Sequence, residues 1–226
     1  MDRYESDLAG RLVEVRRRIQ AAGRSPDEVR IVAVTKGFGV DVVEEALSAG
    51  LSDLGENYAQ ELLVKARSTT PGPKWHYLGS PQHNKIRPLA AVVSAWHGVD
   101  RSRSLIAIAE SSPDSEVFLQ VNVARVPGRP GCDPDDLDAL VEAAGRSSVA
   151  LSGLMTVAPR GSPGEARRCF RWLARRSESL GLAELSMGMS DDFEIAVQEG
   201  ATVLRLGRVL FGERPSQQGA HSYNET

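Results

Sequence analysis

Residues 184–212 read ELSMGMSDDFEIAVQEGATVLRLGRVLFG. The short run Glu184–Ser186 reads as a strand, Asp191–Glu199 carries helical spacing and stops at Gly200, and Thr202–Leu206 is again a strand, followed by a short helical turn over Gly207–Phe211. Strand, helix, strand and helix in close succession make the repeating unit of a parallel sheet covered by helices. The same rhythm runs backwards along the chain. Strands are expected at Ile31–Thr35, Asp53–Gly55, Trp75–Leu78, Val92–Val99, Val117–Val123 and Leu151–Val157, in addition to the two above. Between them, Val40–Ala49, Glu56–Ala66, His83–Ala90, Arg101–Glu110, Pro134–Arg146 and Pro163–Leu180 read as helices. Eight strand and helix units are the number of a closed (β/α)8 TIM barrel. An open doubly wound sheet shares the alternation. We take the α/β barrel as the expected fold.

Leu8, Leu12, Val15 and Ile19 fall at spacings of four, three and four, which makes one apolar helix face ahead of any strand and ending at Gly23. The barrel is therefore expected to carry an extra N-terminal helix. No Pro/Gly/Ser linker divides the chain; Thr69–Pro73 and Val126–Pro134 read as loops. Residues 1–214 are expected to form one barrel domain and 215–226 a polar C-terminal tail without periodicity.

The chain has 226 residues, 41% hydrophobic and 25% charged, a balance that excludes disorder for its bulk. Lys and Arg number 27 against 30 Asp and Glu, for a net charge of -3, and the only basic cluster is Arg16-Arg17-Arg18. A nucleic-acid footprint is not indicated. No apolar run approaches the roughly 20 residues of a membrane span, and the N-terminus lacks the apolar centre of a signal peptide. A soluble cytoplasmic protein is expected. Cys132 and Cys169 show neither disulfide nor zinc spacing, and no metal site is indicated.

In a barrel the C-terminal strand ends form the functional face. Lys36 directly follows the first strand. There it is either a desolvated amine able to attack an aldehyde and form a Schiff base, or a lysine reaching into solvent. In Ser186-Met187-Gly188-Met189-Ser190, Gly188 permits close backbone approach, and Ser190 either helps hold an anion or caps the following helix beside Asp191 and Asp192. Gly207 and Arg208 open the last turn, the usual place of a phosphate in such barrels. Arg205, inward from strand eight, meets a ligand or makes a structural ion pair. Asn57 is a ligand contact or a helix cap. His76 is a base or a core histidine, and its mid-strand position favours the core. His83, Asn84 and Lys85 read as loop surface, Asn122 as a wall or turn residue, and Met155 and Thr156 as packing.

Taken in order, the fragments AVTKG around Lys36, DLGENYAQELLVKA from Asp53, WHYLG from Trp75, QHNK from Gln82, VFLQVNV from Val117, SGLMTVAP from Ser152 and residues 185–212 closely resemble the pyridoxal phosphate homeostasis protein family. The likeness runs from about residue 8 to residue 214. It implies a barrel similar to the N-terminal domain of alanine racemase, with pyridoxal 5′-phosphate held as a Schiff base on Lys36. It also implies phosphate contacts at Ser190 and the Gly207 turn, and Arg205 facing the pyridine nitrogen. An arginine there leaves that nitrogen unprotonated and weakens the ring as an electron sink. The second domain that gives racemases a catalytic tyrosine is missing from this length. Ser80-Pro81 and the loop Val126–Gly131 depart from the family pattern and predict different loop contacts.

The expected function is thus binding of pyridoxal 5′-phosphate in its intracellular homeostasis, by buffering or by delivery to apoenzymes that use the cofactor, without evident catalysis. The alternatives are a pyridoxal-phosphate-dependent racemase or lyase, with Tyr58 or His76 as base, and a barrel for another phosphorylated metabolite with Lys36 structural.

Overall fold

The computed structural model describes residues 8–69, 72–147 and 149–214. The tail expected at 215–226 lies outside them. Eight parallel strands follow in chain order: β1 (Arg30–Val34), β2 (Asp53–Glu56), β3 (Lys74–Tyr77), β4 (Val93–Val99), β5 (Glu116–Gln120), β6 (Ala150–Met155), β7 (Glu184–Ser186) and β8 (Val203–Leu206). They close as a barrel in which β1 pairs with β8, so the open-sheet alternative falls. The helices between them are α2 (Val40–Ser48), α3 (Ala59–Ser68), α4 (His83–Ala90), α5 (Ser102–Ser111), α6 (Leu137–Ser147), α7 (Pro163–Ser179) and α8 (Phe193–Gln198), with the short α9 (Arg208–Phe211) after β8.

The extra helix α1 (Leu8–Ala21) is present, and its buried face is the four residues that the spacing picks out. It completes the outer layer where α8 and α9 are short. Arg11 donates from Nη1 to the carbonyl of Leu210 at 3.1 Å, and the Arg18 guanidinium lies 4.4 Å over the Phe193 ring while pairing with Glu194. α7, the longest helix among the described residues, starts at Ser162, whose hydroxyl accepts the Glu165 N–H, with Pro163 in the first turn where its missing N–H costs nothing.

Alternation along the strands separates two cores. Ile31, Ala33, Leu54, Trp75, Tyr77, Trp96, Val117, Leu119, Leu154, Leu185, Leu204 and Leu206 face the helices and belong to the large outer core. The opposite parity lines the lumen, where Val32, Ala95, Phe118, Met155 and Val203 form a small separate apolar cluster. Barrel lumens are usually filled with branched apolar side chains. Here polar side chains share the lumen, with His76, His97, Ser186 and Arg205 all buried.

Gly153 pairs with Glu184 of β7, and a Cβ at this position would lie 1.9 Å from the Glu184 carbonyl oxygen. The neighbour is backbone in a paired strand and cannot turn away. Gly153→Ala is expected to cost about 3 kcal/mol by overpacking, read as a lower midpoint in denaturant unfolding.

Candidate functional site

The mouth of the barrel is built around Lys36. Thr35 still donates its N–H to the Gly55 carbonyl at 3.1 Å, so pairing with β2 persists to the residue before Lys36 and keeps Lys36 on the lumen parity of Val32. The backbone on both sides of Lys36 is gripped from α3. Lys65 Nζ donates to the Thr35 carbonyl at 2.7 Å, and Glu61 Oε1 accepts the Gly37 N–H at 2.6 Å. The same Lys65 amine pairs with Glu56 at 2.6 Å and Glu61 at 2.8 Å, and Thr35 Oγ1 donates to Glu56 Oε1 at 2.7 Å. This cluster sits behind the barrel wall, on the outer parity.

Lys36 Nζ donates to Asn57 Oδ1 at 3.2 Å. Burial, then the positive charge of Arg214, and after it Arg205 and Arg160, lower the lysine pKa against the opposing pull of Glu56. The amine is a stronger candidate nucleophile near neutral pH than a solvated lysine. The side chain is held against Asn57 and is only partly exposed. Asn57 is a mouth residue and not a helix cap: α3 begins at Ala59 with Tyr58 in the cap position, and Glu56, expected in that helix, belongs to β2.

The two turns after β7 and β8 meet. Ser190 Oγ accepts the Val209 N–H at 3.2 Å, while Asp192, and not Ser190, takes the cap position of α8 and accepts the Met189 N–H at 2.6 Å. Gly188 has φ +95°, and a Cβ there would lie 2.6 Å from the Ala196 Cβ. Its carbonyl accepts the Arg205 N–H at 3.1 Å, so this glycine ties the turn to β8. Gly207 precedes α9; its N–H and that of Arg208 donate to no acceptor among the described residues. The Arg208 guanidinium pairs with Asp191 and, at 3.8 Å, with Glu213.

Arg205 is buried in the lumen and has no ion-pair partner among the described residues. Its Nη1 donates to Ser186 Oγ at 2.6 Å and its Nη2 to the Thr156 carbonyl at 2.9 Å. Burial lowers its pKa to about 10, against the attraction of Asp192. The guanidinium stays charged at neutral pH, and the ion-pair alternative for Arg205 is not what the structure shows.

Other expected residues fall elsewhere. His76 is a buried lumen residue bonded to Asp53 and His97, as its core reading anticipates, and Tyr58 is 63% exposed. Asn122 is a turn residue that exchanges side-chain bonds with Val126. Sequence reasoning missed His97 and the Thr156 carbonyl. Lumen parity, with His97 two residues beyond the inward Ala95, is the signal that finds the first.

The arrangement brings an amine of lowered pKa, a hydroxyl, two free N–H groups and a buried guanidinium to one mouth. The set fits a ligand carrying an aldehyde, an anionic group and an acceptor atom.

A family model described as "Alanine racemase, N-terminal domain" matches residues 11–215. The chain is 40% identical over 225 residues to the pyridoxal phosphate homeostasis protein of Pseudomonas aeruginosa, covering 95% of this chain and 97% of that one. It is 33% identical over 228 residues to the protein of the same name from Escherichia coli, covering 92% and 97%. The structure of PipY from Synechococcus elongatus with PLP bound matches at a TM-score of 0.80 and 33% identity, over 91% of this chain and 100% of that one.

Proposed function

The chain belongs to the pyridoxal phosphate homeostasis protein family, and from that membership we propose that it holds pyridoxal 5′-phosphate at the barrel mouth through a Schiff base on Lys36. In this role it buffers the reactive aldehyde in the cytoplasm and passes the cofactor to apoenzymes, with no catalysis of its own. The observation that carries the reading is the half-buried Lys36 amine, held by Asn57 at 3.2 Å, with its pKa lowered by burial and by the positive charge of Arg214, Arg205 and Arg160. No described helix is long and apolar enough to cross a membrane.

The cofactor, when bound, supplies an electrophilic aldehyde, a phosphate dianion and a pyridine ring. Lys36 provides the attacking lone pair, and Asn57 accepts a hydrogen bond from Nζ and so aims it. Ser190, with the backbone of Gly188, Gly207 and Arg208, would frame the phosphate, and the Arg208 side chain pairs with Asp191 beside it. Arg205 would offer only N–H donors to the ring nitrogen, which would keep that atom an acceptor. Tyr58 and His76, the two residues considered as bases, are respectively exposed and bonded within the lumen, which gives the racemase or lyase reading no support.

The phosphate placement is tested by equilibrium dialysis with pyridoxal 5′-phosphate and with pyridoxal. Loss of the phosphate is expected to weaken binding by at least about tenfold, the equivalent of roughly 1.4 kcal/mol, with Ser190→Ala losing part of that preference. Equal affinity for the two compounds would overturn the placement. Delivery is read separately, as recovery of activity by an apoenzyme mixed with the loaded protein.

A further inference from the structure

Five side chains from five strands form one hydrogen-bonded line through the barrel lumen. Asp53, the first residue of β2, bonds His76 Nε2 at 2.9 Å; His76 Nδ1 meets His97 Nε2 at 2.9 Å; His97 Nδ1 meets Ser186 Oγ at 2.8 Å; and Ser186 Oγ accepts from Arg205 at 2.6 Å. His97 also stacks on Phe118, with ring centroids 4.3 Å apart. The line starts at the base of the barrel and ends beneath the mouth.

Donor and acceptor counting gives the line a direction. Burial pushes the Asp53 carboxyl up, but the His76 hydrogen bond, with Arg30 and Lys74 nearby, outweighs it and leaves the pKa lowered. The carboxylate can only accept, so His76 carries its proton on Nε2. Burial, together with His76, Arg205 and Arg30, drives the His97 pKa well below 6.5, which makes that ring neutral. Ser186 Oγ accepts from Arg205 and so turns its own proton to His97 Nδ1; a neutral His97 then carries its proton on Nε2 and donates it to His76 Nδ1. Every member is satisfied, each donor points towards Asp53, and the lone-pair end of the line faces Arg205.

A buried guanidinium without a contact carboxylate is costly unless its environment is arranged for it. The neighbouring lumen residues Val32, Ala95, Phe118, Met155 and Val203 show that this space also takes apolar packing. The charged groups that face the line are Arg30 from β1, Asp53 from β2, Lys74 from β3, Arg205 from β8 and Asp192 at the start of α8. Only Asp53 and Arg205 cap its ends.

We propose that Asp53, His76, His97 and Ser186 are positioning residues for Arg205: a one-way relay that fixes the guanidinium and sets how it meets the ring nitrogen of the bound cofactor. The proposal rests on the reading of the mouth as a pyridoxal 5′-phosphate site. It assigns a ligand-related role to a residue at the far end of the barrel.

Two variants of the full chain test it. Asp53→Asn keeps an acceptor for His76 and removes the charge; Ser186→Ala removes the acceptor next to Arg205. In the ligand-free protein, nitrogen NMR is expected to show His76 and His97 protonated at Nε2 alone, with His97 unchanged as pH falls through 6.5. The Arg205 guanidinium N–H signals are expected to be protected in the native protein and to exchange faster in both variants. In the loaded protein, Ser186→Ala is expected to weaken cofactor binding about tenfold. Both variants should make the visible band vary with pH between 6 and 8, where the native band stays constant, while one cofactor per chain is retained. A charged or Nδ1-protonated His97, or variants whose guanidinium exchange and band match the native protein, would overturn the relay. Failure of the native protein to take up cofactor overturns the reading of the mouth instead, and the ligand-free NMR still decides whether the relay fixes Arg205.

Discussion

Lys36→Ala is expected to abolish the visible absorbance of the cofactor-loaded protein and to weaken pyridoxal 5′-phosphate binding roughly a hundredfold, about 2.8 kcal/mol. The phosphate turn and Arg205 remain, so residual non-covalent binding is expected, with pyridoxal 5′-phosphate still preferred over pyridoxal. The pH profile carries the sign. Attack on an aldehyde needs the neutral amine, and the Lys36 pKa is lowered by burial and by Arg214, Arg205 and Arg160. Capture by the native protein therefore persists at pH values where a free lysine side chain, with an ordinary pKa near 10.5, is almost wholly protonated. Binding weakens only as pH falls through the lowered value. An absorbance titration from pH 6 to pH 9 checks this; a Lys36→Ala protein that keeps the native band and affinity would remove Lys36 from the covalent role.

Lys65→Met is expected to be the most destabilising single change behind the mouth. The Lys65 and Glu56 side chains are 3% and 0% exposed and 2.6 Å apart. Burial pushes the Glu56 carboxyl pKa up, and Lys65, with Thr35, pulls it back. Removing the cation leaves a buried carboxylate, at a cost of about 3–5 kcal/mol. The folded pKa of Glu56 then rises further above its unfolded value. A carboxyl shifted in that direction penalises the native state above its unfolded pKa, and the penalty shrinks as pH falls towards 4.5. Denaturant unfolding should therefore show the largest deficit at neutral pH and a smaller one near pH 5. Replacing Glu56 with Leu in the same chain should recover part of the loss. Because Lys65 also donates to the Thr35 carbonyl, the variant is expected to loosen the backbone that presents Lys36 and to slow cofactor capture.

The barrel was legible in the sequence because each β/α unit carries its own periodicity and turn. Residues 184–212 alone hold two such units, and the strands expected at Glu184–Ser186 and Thr202–Leu206 agree with β7 and β8 to within one residue. Local pattern was a poorer guide at Glu56, where GENYAQEL reads as the start of a helix. Its true place in β2 depends on Lys65, nine residues later, arriving as its counter-charge. Starting α3 three residues later, at Ala59, leaves Asn57 free to meet Lys36. Ser190 shows the same limit. The dipeptide Asp191-Asp192 hides which residue caps α8, and the answer lies in a bond from Val209, nineteen residues away. The lumen relay has no local signature at all. Its members stand on β2, β3, β4, β7 and β8, and only barrel closure puts Asp53, His76, His97, Ser186 and Arg205 in line. Single-strand alternation marks each as inward-facing, but the order of contacts exists only in three dimensions.

The most direct test of the Lys36 assignment is the absorbance spectrum of the cofactor-loaded native protein before and after borohydride reduction, followed by mass spectrometry of its peptides. The expected result is a visible band that disappears on reduction, with one pyridoxyl group retained on the peptide containing Lys36 and on no other. A colourless protein, or a pyridoxyl group on a different lysine, would contradict the account.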